Sequence, residues 1–378
     1  MPMTGQNEAL LYAVGDVAPS RPDPDSLFAK TGDTLRRADV AFCQLEINLT
    51  ERGERLPQAR HTDRTSAAAA HALRAAGFSI VSFAGNHCMD WGRDGFFDTI
   101  GSLESAGLSV VGVGANIIEA RGPVIVETRG GRIGVLAYNT ILPMAYWAES
   151  NRPGCAPMRA WTYYEQIEHD QPGTPCRVHT WANEDDLRAL TADISALKGK
   201  VDVALVSMHW GIHFVPAVIA DYQRQVARAA IDAGADLILG HHAHILKGIE
   251  VYRGVPVFYS LGNFAMDLPM TREHAERPSF KEIQKLNPNW IPDFESTYNF
   301  PFDSRKSLIV KCVVAGGRMQ SVSLLPVYID RQSVPEILTV EDRRFEEVRQ
   351  YIESITAEAG LNGRLRTSGS EILVEAAS

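Results

Sequence analysis

The sequence predicts a layered α/β fold, and three observations predict it. Apolar segments of strand length alternate with helical patterns along most of the chain, several of those strands run straight into metal-ligand residues, and a 45% hydrophobic content over 378 residues supplies a large core. In chain order, residues 10–14 read as a strand entering Gly15-Asp16, and residues 40–45 as a second that ends at Glu46. The alanine-rich stretch 66–76 predicts a helix stopped by Gly77, before a strand over 79–84 that delivers Gly85-Asn86-His87. A helix over 94–106 and a strand over 109–113 follow. Residues 123–126 and 132–138 read as a hairpin across Arg129-Gly130-Gly131-Arg132.

Further on, 184–197 reads as a helix and 201–207 as a strand that opens into Met208-His209-Trp210-Gly211. Residues 218–233 form an amphipathic helical pattern stopped by Gly234, and the strand 237–239 opens into Gly240-His241-His242-Ala243-His244. Hairpin-like strands come next at 248–252 and 255–259. Two segments break this rhythm, about 141–183 and 265–305. Both are rich in aromatics and prolines with little periodicity, so they read as long loops and as candidate walls of a substrate pocket. One domain over 1–330 is expected, with a helical extension over 331–378 (a charged helix at 340–355) packed on it.

Composition narrows the function. A formal charge of -9 leaves no basic excess to neutralise a phosphate backbone, which argues against nonspecific nucleic-acid binding. No run of about 18 apolar residues occurs, so no membrane span is expected. The N-terminus has neither a basic region nor a long apolar stretch ahead of the first polar motif. The five cysteines lie far apart without a C-x-x-C pair, which suits reduced thiols in a cytoplasmic protein. A small-molecule or peptide substrate is the expected partner.

Ligand-type residues at strand ends carry the chemistry. In open α/β sheets sites form at the carboxyl ends of strands, so residues scattered along the chain converge there. Taken singly, Gly15-Asp16 reads as a turn, Glu46 as a solvated or capping group and His209 as a core histidine. Three histidines within five residues after an apolar strand resist such a reading. Carboxylate oxygen, amide oxygen and imidazole nitrogen together suit Mn, Zn, Fe or Co better than Ca. One or two divalent ions are therefore expected on Asp16, Glu46, Asn86, His209, His242 and His244. Spacing alone leaves open which of His241, His242 and His244 bind.

The ordered set Gly15-Asp16, Leu45-Glu46, Gly85-Asn86-His87, His209-Trp210-Gly211, Gly240-His241-His242-Ala243-His244 and Tyr259-Ser260-Leu261-Gly262-Asn263-Phe264 resembles the CapA, or poly-γ-glutamate synthesis, family of the metallophosphoesterase (calcineurin-like) superfamily. The likeness runs from about residue 8 to about residue 328. It implies a four-layer sandwich of two mixed β-sheets flanked by helices. It further implies that Asp16 and His244 serve one metal, that Asn86, His209 and His242 serve a second, and that Glu46 bridges them. His87 then stabilises charge or donates a proton, with Asp90 orienting it. Asp16 and His241 are further catalytic candidates, and Arg64 and Trp210 are substrate-binding candidates. Ala18 stands where the superfamily has a histidine, so a single-metal site is an alternative.

Metal-dependent hydrolysis is the activity this implies. The motifs carry few basic residues and the irregular segments are aromatic, which favours a peptide, amide or other small organic substrate over a phosphate ester. Two alternatives stand beside it. One is a peptide epimerase of the lasso-peptide maturation type, pairing Asp16 with one of His87, His241, His242 or His244. The other is a non-catalytic polyglutamate or capsule-polymer biosynthesis protein.

Overall fold

The computed structural model describes residues 7–59, 63–285 and 287–375. Alternating burial in the central strands decides its architecture. In Val203–His209, Val203 and Leu205 enter one apolar cluster while Ala204 and Val206 enter another. Gly131–Asn139 divides the same way, with Ile133 and Val135 on one side and Leu136 and Tyr138 on the other. A strand buried on both faces must lie inside a stack of layers. The first cluster is shared with Leu11, Ala13 and Phe42 of a second sheet, so the two sheets pack face to face.

The larger sheet has ten strands. Its order is Arg364–Ser368, Glu371–Glu375, Arg318–Ile329, Lys306–Ala315, Glu8–Ala18, Val40–Leu45, Ile80–Ser82 and Ser109–Val111. Asn263–Met266 also pairs in parallel with Glu8–Ala18, and Pro335–Ile337 pairs with Arg318–Ile329. The six-stranded sheet runs Ile249–Tyr252, Val255–Phe258, Leu237–His241, Val203–His209, Gly131–Asn139 and Val124–Thr128. Helices Glu184–Lys198 and Asp221–Asp232 cover it through Leu190, Ile194, Val226 and Ala230. Helices Ala68–Ala76, Gly92–Ser105 and Arg343–Glu358 pack on the larger sheet through Leu73, Phe96 and Ile352. The result is the four-layer α/β sandwich of two mixed sheets, and the parallel strands of both sheets deliver their carboxyl ends to one edge.

Three expectations change. Within 141–183, Ala160–Gln166 and Cys176–Ala182 form an antiparallel hairpin in full register rather than a loop. Residues 331–378 are not a helical extension alone, since their hairpin joins the large sheet by pairing Ser323 with Leu373. Finally, 265–305 holds the helices Arg272–Glu276 and Pro278–Gln284 rather than loop alone, and after it Lys306–Ala315 and Arg318–Ile329 form a long hairpin. Its turn, Gly316-Gly317, has φ of 58° and 70°, the left-handed pair that a two-residue hairpin requires.

Candidate metal centre

Close backbone approach comes first. A Cβ on Gly15 would sit 2.0 Å from the Gly262 carbonyl oxygen, and one on Gly240 2.2 Å from the Tyr259 carbonyl oxygen. Glycine at both places lets the segment 259–263 cross tightly between the two sheets. Asp16 then lies in register with Asn263, its N–H donating to the Gly262 carbonyl at 3.0 Å. Glu46 is fixed just past its strand by its own N–H to the Val17 carbonyl, at 2.9 Å. His242 and His244 follow the strand Leu237–His241 with φ of 86° and 56°. Such left-handed geometry costs a non-glycine residue about 1–3 kcal/mol, and here it turns two imidazoles towards the carboxylates.

The structure brings Asp16, Glu46, Asn86, His209, His242 and His244 together. Asn86 Oδ1 and His242 Nδ1 stand 2.6 and 3.1 Å from His209 Nε2, which is 3.1 Å from Glu46 Oε1. His244 Nε2 lies 3.6 Å from Glu46 Oε2, and its Nδ1 lies 3.8 Å from Asp16 Oδ2. Glu46, His209 and His242 make one ligand set and Asp16, Glu46 and His244 another, the donor atoms of each within 4.8 Å of one another. Glu46 belongs to both.

These donors fit a divalent cation. Asp16 Oδ1 and Glu46 Oε1 are buried and accept no hydrogen bond. Burial, and then the nearby Asp16 and Asp90, push the Glu46 carboxyl well above the usual range. Burial, reinforced by neighbouring imidazoles, holds His209 and His242 well below the ordinary histidine value, and burial lowers His244 against the pull of Asp16 and Asn263. Neutral imidazoles keep their lone pairs for a metal, and a cation would remove the carboxylate repulsion.

Orienting contacts surround the centre. The His244 ring bonds Asn263 Oδ1 through Nδ1 at 2.8 Å, leaving Nε2 for the Glu46 side, and Asn263 Nδ2 donates to the Tyr298 hydroxyl at 2.9 Å. His87 Nδ1 lies 2.6 Å from Asp90 Oδ2, and the Tyr146 hydroxyl donates to Asp90 Oδ1 at 2.8 Å. His213 stacks over the site, its ring centroid 3.9 Å from that of His242 and 5.1 Å from that of His244. The buried Lys247, lowered to about 8 by desolvation, donates to the Val215 and Val218 carbonyls and so holds the loop that carries His213. Asn263 lies in the motif over 259–264, and Tyr146 and Tyr298 lie in the two aromatic segments expected to wall the pocket, all three without an assigned role, whereas His213 is the site residue that sequence reasoning missed. Its signal was its place four residues after His209.

A cavity of about 430 Å³ opens over Glu46, His87, His213 and His244, and much of its wall comes from 265–305. A larger crevice of about 530 Å³ lies at the opposite ends of the strands, lined by Lys198, Asp202 and Asp236. Lys198 is committed to Asp236 there at 2.6 Å, and no ligand cluster is present among the described residues.

Four expected roles change with this placement. Trp210 does not reach the cavity: strand alternation turns it away from His209 into the outer core, where its Nε1 donates to the Tyr259 carbonyl at 3.0 Å. His241 is fully buried between the sheets, its Nδ1 3.3 Å from Asp16 Oδ1, so it packs behind a ligand and does not face substrate. Arg64 is exposed, its guanidinium 3.9 Å above the Trp91 ring, and Arg55 lines the cavity instead. Asp16 is fully buried and not part of the cavity wall, so it sits among the ligands rather than on the face that meets substrate.

Residues 10–268 match the family described as bacterial capsule synthesis protein PGA_cap. The PGA biosynthesis protein CapA of Bacillus subtilis is 30% identical over 66% of this chain and 58% of its own length. A probable polyglutamine synthesis accessory protein of Mycobacterium tuberculosis is 32% identical over 61% of this chain and 56% of its own. The chain thus spans little more than half the length of these curated relatives. Among solved structures, the calcineurin-like phosphoesterase YfkN of Bacillus subtilis aligns over 94% of this chain and 98% of that one, at 12% identity and a TM-score of 0.36.

Proposed function

The chain belongs to the bacterial capsule synthesis protein family, and from that premise we propose that it is a metal-dependent hydrolase acting on a peptide, amide or other small organic substrate. One observation carries the reading: a carboxylate shared by two ligand sets stands beside an oriented histidine on the wall of one cavity. Asp16, Glu46, Asn86, His209, His242 and His244 would hold one or two ions of Mn, Zn, Fe or Co. A divalent ion bound there supplies Lewis acidity and brings the pKa of water towards neutral.

The remaining work falls to side chains. Asp90 fixes the His87 ring through Nδ1, which leaves Nε2 on the cavity side to give a proton to the leaving group. Tyr146, whose phenol is pushed up by burial and by Asp90, stays a hydrogen-bond donor and keeps that carboxylate in place. Asn263 sets the His244 ring from behind.

Metal analysis of the purified protein, combined with a panel of phosphoester, amide and peptide substrates, tests this. We expect copurified divalent metal, loss of turnover on chelation and loss of metal in His209→Ala. His87→Gln should keep the metal yet lose about 10²–10⁴ in turnover. Full activity after thorough metal removal would refute the reading. The relatives' names speak for a capsule-polymer accessory role, and bound metal with no turnover across the panel would favour that role.

A further inference from the structure

The segment 265–305 builds a small core of its own against the site. Helices Arg272–Glu276 and Pro278–Gln284 pack Ala275, Phe280 and Trp290 onto Phe214, Ala243 and Ile245. The Trp290 ring lies 5.1 Å from Phe214 and 5.0 Å from Phe280, and Phe300 lies 5.1 Å from His244. Trp290 Nε1 donates to the Asn299 carbonyl at 2.8 Å, so the polar end of the indole is satisfied within the segment. These rings, with Met270 and Ile283, form a carbon wall of the same cavity that opens over His87 and His244.

Charge along the cavity is balanced. Arg55 and Arg277 stand against Asp63 and Asp267, with Glu46 a third carboxylate at the floor, so the wall carries no cationic excess. Arg277 is already paired with Glu273 at 3.2 Å, and Asp267 with Arg21. A polyglutamate chain would bring one carboxylate per residue, and among the described residues the wall offers it Arg55 and Arg277 rather than a longer row of cations.

We infer that the cavity is a side-chain subsite for a bulky apolar residue, of phenylalanine or leucine size, carried by the substrate next to the bond that is cleaved. The cleavage rests on the hydrolase reading; the subsite is a binding property that can be measured apart from it. Burying such a side chain is worth enough for about a ten- to hundredfold preference over alanine.

The test is ligand-observed NMR titration of the metal-loaded protein with N-acetyl amides of phenylalanine, leucine, alanine and glutamate, followed by turnover of the matching N-acetyl dipeptides. Phenylalanine and leucine should bind about ten- to a hundredfold more tightly than alanine and glutamate. Phe300→Ala and Met270→Ala should each cut the phenylalanine-to-alanine ratio about three- to tenfold, through KM more than kcat, with metal content unchanged. Both variants are used, with melting curves, so that a folding defect in one does not decide the outcome. Glutamate binding as well as phenylalanine, or a preference untouched in two folded wall variants, overturns the subsite. Selective binding with no dipeptide cleaved supports the subsite and counts against hydrolysis, whereas cleavage without residue preference does the reverse.

Discussion

Residues 265–305 and 160–182 are both rich in aromatic residues, and both interrupt the regular α/β pattern. In the first, Phe280, Trp290 and Tyr298 are buried. In the second, Trp161, Tyr163, Tyr164 and Trp181 stay between 44% and 64% exposed. The difference lies in anchoring. Asp267 takes the Arg21 guanidinium and the N–H groups of Ser20 and Arg21, Arg331 clamps Asp293 at 2.8 Å, and the Tyr298 hydroxyl donates to the Ser304 carbonyl at 2.6 Å. The hairpin instead spends its backbone on its own ladder and touches helix Asp221–Asp232 only near one end, through Thr180 with Asp221 and Ala182 with Gln225. Aromatic content therefore does not mark a pocket wall; polar ties that fold the segment back onto the strand ends do.

The largest expected effect comes from cutting into the buried wall. Trp290→Ala removes an almost fully buried indole between Phe214 and Phe280 and should cost about 3–5 kcal/mol of unfolding free energy, read by denaturant titration. A cost under about 1 kcal/mol would mean that the segment does not pack as a unit, and the contrast with the hairpin would break.

Much of the site was legible because a buried strand ending in a polar cluster leaves an unmistakable pattern. Val40–Leu45 before Glu46 and Leu237–His241 before His242 are such cases. Helix Glu184–Lys198 was equally clear, beginning at Asn183, whose side chain accepts the Asp186 N–H. What failed was the assignment of faces. Alternation tells that His209 and Trp210 point oppositely, but which face meets the cavity depends on the second sheet, and that pairing is tertiary. Tyr146 and His213 arrive from irregular segments, where no period announces direction. Strand Arg318–Ile329 was obscured by Gln320, Ser321 and Ser323, polar residues before the apolar run at the part of the strand that meets the terminal hairpin.

The comparison sharpens with pH. His209 and His242 are held neutral by burial beneath the site, whereas His179 on the hairpin is half exposed beside Glu165 at 2.7 Å. Below about pH 6.5 the unfolded chain gains protons that the folded chain refuses at His209 and His242. In the metal-free protein each of these groups should therefore remove up to about 1.4 kcal/mol of stability per pH unit as pH drops from about 6.5 towards its lowered folded value, while the raised Glu46 carboxyl, which takes up its proton in the folded chain first, offsets part of that loss. Melting in chelator from pH 8 to 5 measures this, and His242→Gln should remove one of the two falling contributions. A profile that His242→Gln leaves unchanged would contradict the buried neutral imidazole.

The smallest effect belongs to the hairpin. Trp161 and Trp181 face one another across its ladder, and such a cross-strand pair contributes only about 0.2–1 kcal/mol locally. Because neither ring reaches a core cluster, Trp161→Ser combined with Trp181→Ser should change global stability by no more than about 0.5 kcal/mol. Metal content and turnover should match the parent protein, while limited proteolysis near residues 167–175 should quicken as the ladder frays. If the double variant folds and binds metal normally yet loses turnover, the hairpin is part of the substrate-binding surface. In that case exposure alone cannot separate the two aromatic segments, and the wall built by 265–305 would be only one half of the recognition site.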